Sequence, residues 1–463
     1  MMRKIRVRAQ SGVAVALAAV LTLTAAGVAQ AVTFDTDETS QVRLASSSDC
    51  PTIAKPEPFE AWFNIEDMNR RGFVDPKNQT PWPFAAKLAQ VICGAETNSK
   101  IKIGMFFIRA LGTMTEESLG ARPESDTEVI YDALEYVHKN RGVEIGLVLD
   151  GGTVSPSSAK NLITKRLAPI SKIFWCLNGC LNTNAPSVFP YSVNHEKFIT
   201  VSDTKWDSGV DPVVYSSSGN LARSQIRNYL QEASLLYNDV KLFTLFTKRY
   251  DTMVACVATG CASSSDFPAG VQLVKDRGIW VDPFYRHWTD ADRGTAVSFS
   301  PQPSTAEDHY IRQFDGVDCA VDKKIRIGMA QLTDSKATQM VNALVRLKNR
   351  GCDVKMLLTQ QGGSTTISPT VVSLLKSANI SARCTAVAMH TKMILIGPMT
   401  NDSGRVLFGT ANMSTSALRY SEEHVITIDS RRASPAFADS IRRVYGVYMA
   451  AWTELNKTSK SCG

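Results

Sequence analysis

Two stretches of alternating apolar and polar residues open the argument. "KIKIGMFFI" (100–108) and "KIRIGMAQL" (324–332) both place isoleucines at every second position around a Gly-Met step, a pattern that predicts a strand. Each is followed by apolar residues at three- and four-residue spacing, in "VIYDALEYVHKNRGVEIGLVLD" (129–150) and "MVNALVRLKNRGCDVKMLLTQ" (340–360). That spacing predicts an amphipathic helix, which Asn-Arg-Gly ends at Gly142 and Gly351, residues suited to a left-handed C-terminal cap. Apolar runs at 143–149 and 354–358 then predict second strands, so each stretch reads as a βαβ unit with parallel strands.

The duplication continues. "HEKFITV" (195–201) matches "HTKMILI" (390–396), and "VVYSSSGNLARS" (213–224) matches "VLFGTANMSTS" (406–416). "QEASLLY" (231–237) matches "EEHVITI" (422–428), and amphipathic helices at 240–257 and 435–452 close the two copies. One copy alone leaves a sheet partly uncovered. Two copies packed face to face predict an α/β fold of two homologous lobes, an α/β/α/β/α sandwich with one shared active site. The boundaries are lobe 1 at 58–262, a connector at 263–296 and lobe 2 at 297–463. Across a pseudo-two-fold axis His195 and His390 are expected to face each other within about 5–8 Å, from adjacent central strands.

Charge changes the picture only after the leader is removed. Arg3, Lys4, Arg6 and Arg8 precede an Ala/Val/Leu run at 12–28 and the small residues Ala29-Gln30-Ala31. This is the grammar of a signal peptide over 1–31, cleaved near Ala31, followed by an N-terminal extension at 32–57; the chain is expected to be secreted. The leader holds four of the 51 basic residues, so the mature chain keeps 47 against 44 acidic, a formal charge of about +3. That balance and the lack of a Lys/Arg run argue against a dedicated polyanion binder. All ten cysteines lie beyond the leader, an even number that suits disulfides in an exported chain. Cys176/Cys180 and Cys256/Cys261 are spaced to close small loops. The pairings of Cys50, Cys93, Cys319, Cys352, Cys384 and Cys462 stay open.

The chemistry resides in what is repeated. With six histidines in the chain, two His-x-Lys steps at equivalent points of a duplication exceed chance. Each leads to a small-x-Asn step and then a glutamate: His195, Lys197, Ser218, Asn220 and Glu232 in one copy, and His390, Lys392, Thr410, Asn412 and Glu423 in the other. A phosphodiester gathers negative charge on its non-bridging oxygens during displacement. Two lysines and two asparagines supply fixed charge and donors there, and histidine can attack phosphorus or move a proton. Glu232 and Glu423 are expected to accept the far ring N–H of the histidines, with Glu422 as a competitor for the second role. The lysines provide the charge, so no metal or other cofactor is called for.

These residues resemble the phospholipase D superfamily, whose motif is His-x-Lys, four residues and an aspartate, then Gly/Ser-x-Asn, in two copies per active site. The similarity is nearest to its secreted bacterial members and runs from about Pro58 to Trp452. It implies a phosphodiesterase that hydrolyses glycerophospholipids through a phosphohistidine, with transfer of the phosphatidyl group to an alcohol as a related outcome. His195 would be the nucleophile and His390 the general acid. The implied partners are a phospholipid headgroup or other phosphodiester, a transient membrane surface, and no second subunit. A secreted nuclease of the same family and a catalytically silent phospholipid-binding module are the alternatives. The silent module draws on a departure: Ser202 and Gly397 stand where the motif aspartates belong, with Asp203 one residue late and Asp402 in a loop. His138, His287, His309 and His424 are expected at the surface or in structural roles.

Overall fold

The computed structural model describes residues 58–64, 83–106, 108–109, 125–151, 163–177, 179–182, 192–205, 211–222, 229–261, 267–269, 271–272, 274–276, 279–285, 288–359, 367–385, 388–400 and 403–462. The expected leader and extension (1–57, with Cys50), His287 and Asp402 lie outside the described residues. All described residues belong to one compact unit, Ser40–Gly463.

Two sheets form its frame. The first contains β1 (Phe59–Phe63), β2 (Lys100–Met105), β3 (Glu144–Asp150), β4 (Lys172–Cys176), β5 (Lys197–Val201), β6 (Val213–Ser217) and β7 (Glu232–Tyr237). They lie side by side as β1-β7-β6-β5-β2-β3-β4. The second contains β8 (Trp288–Asp290), β9 (Thr295–Ser300), β10 (Lys324–Met329), β11 (Asp353–Thr359), β12 (Ser381–Thr385), β13 (Lys392–Gly397), β14 (Arg405–Gly409), β15 (Glu423–Asp429) and β16 (Lys460–Ser461). Its order is β8-β9-β15-β14-β13-β10-β11-β12-β16. Without the edge strands β8 and β16, the two orders are the same. The duplication in sequence is a duplication in topology.

Each βαβ unit forms as its periodicity predicts. β2 pairs parallel with β3 after helix α1 (Pro83–Cys93) and across helix α2 (Ser125–Arg141). Helix α3 (Val240–Thr259) closes this half, with Asp239 accepting the Leu242 N–H at its start. In the other half α4 (His309–Asp315) precedes β10, and β10 pairs parallel with β11 across α5 (Asp334–Asn349). Helices α6 (Pro369–Ser377), α7 (Thr415–Arg419) and α8 (Pro435–Thr458) complete it. The glycines after α2 and α5 take positive φ, 64° at Gly142 and 93° at Gly351, the conformation that stops a helix without a Cβ penalty. The Gly-Met step also has a packing cause. A Cβ on Gly104 would lie 2.4 Å from the Phe198 ring, and one on Gly328 would lie 2.7 Å from Met393. In each half the residue after the motif lysine fills the notch.

Three apolar cores separate five layers. Helices α1 and α2 cover one face of the first sheet through Leu88, Ile92, Val129 and Leu134. Helices α5 and α6 cover the outer face of the second through Met340, Leu344, Val371 and Leu375. Between the sheets α3 and α8 bring Phe246, Met253, Tyr445 and Tyr448 against Phe198 and Val214 on one side and Met393, Leu395 and Ile426 on the other. A sheet covered on both faces has no polar side, so β5, β6, β7 and β10 are buried at every position. The α/β/α/β/α sandwich follows. Within the stretch expected to connect the lobes, Val274–Asp276 pairs with Ile279–Val281 and β8 pairs with β9, so it contributes strands as well as chain length.

Cys176–Cys180 and Cys256–Cys261 are bridged as their spacing suggested, and Cys319–Cys352 and Cys384–Cys462 form two further disulfides. Cys93 is disulfide-bonded as well. The Cys384–Cys462 bridge closes 78 residues and ties the C-terminal strand β16 to β12. Chain entropy assigns it about 4 kcal/mol, against about 2 kcal/mol for the four-residue closure at Cys176–Cys180. Denaturant unfolding of Cys384→Ala/Cys462→Ala should therefore show the larger loss of stability of the two paired deletions.

Candidate active site

The two His-x-Lys strands begin later than the alternating pattern suggests. β5 starts at Lys197 and β13 at Lys392, so His195 and His390 stand just ahead of their strands. The cause is a change of partner. The His195 N–H donates to the Glu422 carbonyl at 3.0 Å, and the Glu422 N–H donates to Val193 at 3.1 Å. The His390 N–H donates to Leu230 and the Leu230 N–H to Ala388, both at 2.8 Å. Each histidine segment is thus bridged in parallel to the opposite half, Asn194 with Glu422 and Met389 with Leu230. The strands themselves belong to different sheets rather than lying adjacent. Two further acceptors hold the approach: Asp150 takes the Asn194 N–H and the Thr359 hydroxyl takes that of Met389, each at 2.9 Å.

The imidazole centroids are 6.2 Å apart and the rings are inclined at 57°. His195 Nδ1 lies 2.8 Å from Glu423 Oε2, and the Thr410 carbonyl is a second partner for that ring. His390 Nδ1 lies 2.7 Å from the Ser218 carbonyl. Both rings are therefore anchored through Nδ1, and Nε2 remains for the substrate side. Lys197 Nζ donates to the His195 carbonyl at 2.7 Å and Lys392 Nζ to the His390 carbonyl at 2.6 Å. Asn220 and Asn412 complete the set; their Oδ1 atoms are buried and take no hydrogen bond among the described residues.

Glu232 departs from the expected role. It does not touch His390, because the Ser218 main chain occupies that place. Its Oε2 accepts the Ser218 hydroxyl at 2.6 Å and its Oε1 accepts the Lys392 N–H at 3.2 Å. The carboxylate fixes the residue whose carbonyl holds His390, one bond removed. Thr410, the counterpart of Ser218, accepts the His424 N–H through its hydroxyl at 2.9 Å.

The electrostatics keep this site nearly neutral. Burial, reinforced by Lys197, Lys392 and the His390 ring, holds His195 well below the ordinary histidine range, against the Thr410 carbonyl. Burial with Lys392 and Lys197 does the same to His390. Burial raises Glu423 well above the carboxyl range although Lys197 opposes it, and burial lowers Lys197. Burial takes Lys392 down to about 8 against the pull of Glu232, and lifts Glu232 to about 7 against the Ser218 hydroxyl and Lys392. Both imidazoles are thus uncharged near neutrality, with an Nε2 lone pair available.

Beneath the site lies a charged cluster that the sequence did not announce. Arg249, 1 % exposed, pairs with Asp282 and with Glu196, the central residue of the first His-x-Lys, 2.5 Å away. Its Nη2 also donates to the Ser300 carbonyl at 2.9 Å. Glu196 pairs in addition with His424 Nδ1, while His424 Nε2 is 2.7 Å from Ser216 Oγ. Burial would raise Glu196, but Arg249 and His424 overcome it and hold its carboxyl at about 2. His424 and His309 are buried structural residues; His309 Nδ1 is 3.0 Å from Gln302. His138 meets the Val143 carbonyl at 3.0 Å beside a helix end. At the motif-aspartate positions, Ser202 accepts the Lys100 N–H at 2.8 Å and donates to Asp203 at 2.6 Å. Gly397 leaves room for Tyr445, whose hydroxyl would be 2.7 Å from a Cβ there.

Comparison with known proteins agrees with this geometry. Residues 319–445, which hold His390, Lys392, Asn412 and Glu423, match the family model described as a cardiolipin synthase, phospholipase D-like domain. No curated protein sequence matches the chain. Among solved structures it is similar to phosphatidylserine synthase from Haemophilus influenzae Rd KW20 (11% identity, 82% of this chain and 85% of that one, TM-score 0.51). It is also similar to a phospholipase D family member from Salmonella typhimurium (20% identity, 36% of this chain and 97% of that one, TM-score 0.28). Against polyphosphate kinase from Porphyromonas gingivalis (10% identity, TM-score 0.45) 84% of this chain aligns but spans only half of that one's length. Residues 319–445 are thus a phospholipase D-like domain, and the first half repeats its strand order and presents its own His-x-Lys step across from it.

Proposed function

We propose that the protein is an exported phosphodiesterase of the phospholipase D type that hydrolyses glycerophospholipids through a phosphohistidine. The observation that carries the reading is the pair of neutral imidazoles 6.2 Å apart, each anchored at Nδ1, with Lys197 and Lys392 beside them. That gap suits one phosphorus approached from opposite sides. His195 Nε2 attacks phosphorus, the P–O bond to the departing alcohol breaks, and His390 supplies the proton that alcohol needs. A water molecule then gives its proton to His390, attacks phosphorus, and the P–N bond breaks. The arriving phosphodiester brings the negative charge that lets His390 hold a proton despite Lys392 Nζ at 3.1 Å.

The asymmetry between the rings supports the assignment of roles. A nucleophilic imidazole becomes cationic when phosphorylated, and Glu423, protonated in the resting site, stands 2.8 Å behind His195 where it can ionise to balance that charge. His390 rests on a neutral carbonyl instead. For the substrate, the nearly balanced mature charge favours a lipid over a nucleic acid. Export follows the leader grammar of residues 1–31 and agrees with the disulfides.

A paired assay with EDTA present tests the substrate class. Choline release from phosphatidylcholine vesicles is expected, with no degradation of plasmid DNA; degradation of DNA alone would assign the nuclease reading, and activity on neither the silent binding module. The pH profile is the second expectation. Lys392 loses its charge above about 8, so kcat/KM should fall there, while the substrate-bound anion should push the corresponding limb of kcat upward. The histidine roles separate with a nitrophenyl phosphodiester, whose leaving group needs little protonation. After quenching, intact-mass spectrometry should find the covalent phosphohistidine in His390→Asn and none in His195→Asn; an adduct on His390 would reverse the assignment.

A further inference from the structure

Glu422 is fully buried and its side chain belongs to neither histidine. Its Oε1 accepts the Leu181 N–H at 3.0 Å, and the Cys180 N–H also faces the carboxyl. Its Oε2 takes no hydrogen bond among the described residues. These donors come from the turn closed by Cys176–Cys180. The turn passes through Gly179 at φ 76°, where a Cβ would lie 2.7 Å from Glu422 Oε2 and 2.8 Å from Ser192 Oγ. A side chain at 179 would drive the carboxyl out of its seat. The turn is fixed from behind: the Trp280 N–H donates to Asn182 at 2.9 Å, and Cys261 Sγ is 3.1 Å from the Leu181 carbonyl.

The main chain of the same residue carries the load. The Glu422 carbonyl receives the His195 N–H, its N–H holds Val193, and the next residue, Glu423, meets the His195 ring at 2.8 Å. We propose that Glu422 is a positioning residue for His195, anchored by the disulfide-closed turn that carries Cys180 and Leu181, so that the bridge Cys176–Cys180 bears on the nucleophile through a residue of the other half. The inference rests on the catalytic reading given above. The other half lacks this device: its counterpart Gln231 sits behind Gly219, and His390 is bridged to Leu230, one position earlier. Burial raises the Glu422 carboxyl to about 8, against the Leu181 and Cys180 N–H groups and Arg249, so it is protonated at neutral pH and a glutamine reproduces its shape and neutrality. Arg249 is the charged group that faces it.

The test compares Glu422→Ala, Glu422→Gln, Cys176→Ala/Cys180→Ala and the combination of the first with the last, each checked for folding by its thermal midpoint. Turnover of a nitrophenyl phosphodiester is read alongside carbethoxylation of His195 by diethyl pyrocarbonate, mapped by mass spectrometry. Glu422→Ala and the disulfide variant should each lower kcat roughly tenfold or more with KM little changed, and both should speed His195 modification. Because both act through one link, the combination should be no worse than the more severe of the two, and Glu422→Gln should restore most of the loss. Losses that multiply, or a Glu422→Ala protein with the parent's kcat and His195 reactivity, would overturn the proposal. If the disulfide variant does not fold, the alanine and glutamine variants decide it. A parent with no turnover would remove the catalytic reading, while the modification rates would still decide whether Glu422 positions His195.

Discussion

The site depends on two short parallel bridges, Asn194 with Glu422 and Leu230 with Met389. Each takes the segment that carries a histidine and fixes it to backbone from the other half of the duplication. The imidazole spacing is therefore set by main-chain hydrogen bonds of 2.8–3.1 Å, not by side chains alone. Such bonds give modest net stability, about 1 kcal/mol each, yet they define position closely because their donors and acceptors have no solvent alternative once buried. The central apolar core then has one function in common with the bridges: it holds the two sheets at the separation the bridges require.

Burying charge under such a site is costly, and the arrangement shows how the cost is offset. Arg249 faces Glu196 and Asp282 and also meets the Ser300 carbonyl, so its guanidinium is surrounded by acceptors from three separate segments. Removing one member of such a cluster leaves an uncompensated charge worth about 3–5 kcal/mol. The cluster lies directly behind the first His-x-Lys, and Arg249 Nη2 is 3.3 Å from the Glu423 carbonyl. Charge pairing and the geometry around His195 are consequently one problem, solved by one set of residues.

Much of this was legible in the chain because the repeats are local patterns. Period-two and period-3.6 runs around Gly142 and Gly351 specify the βαβ units, and a duplicated His-x-Lys stands out when histidine is scarce. Glu423 is preferred over Glu422 because its spacing from Asn412 comes closer to that between Asn220 and Glu232 in the other copy. What stayed hidden depends on contacts between halves. The partner of His390 is a main-chain carbonyl, which has no residue-type signature, and so Glu232 was assigned the direct contact that Ser218 makes. Arg249 and Asp282 lie in a helix and in the stretch between the halves, 33 positions apart, with nothing in their neighbourhoods to pair them. Glu196 gave one missed hint: a carboxylate at the head of a strand in the buried sheet needs a cation.

The separation of His195 from its carboxylate partner has a consequence for the order of synthesis. Glu423 follows His195 by 228 residues, and the bridge to Glu422 waits equally long. A chain emerging from its N-terminus exposes the complete first half, histidine included, well before strand β15 exists. During that interval His195 has neither its main-chain acceptor nor its carboxyl partner, and the second imidazole is absent until residue 390. The candidate site is thus incomplete on the nascent chain, and it is assembled near the end of the polypeptide rather than growing with its length.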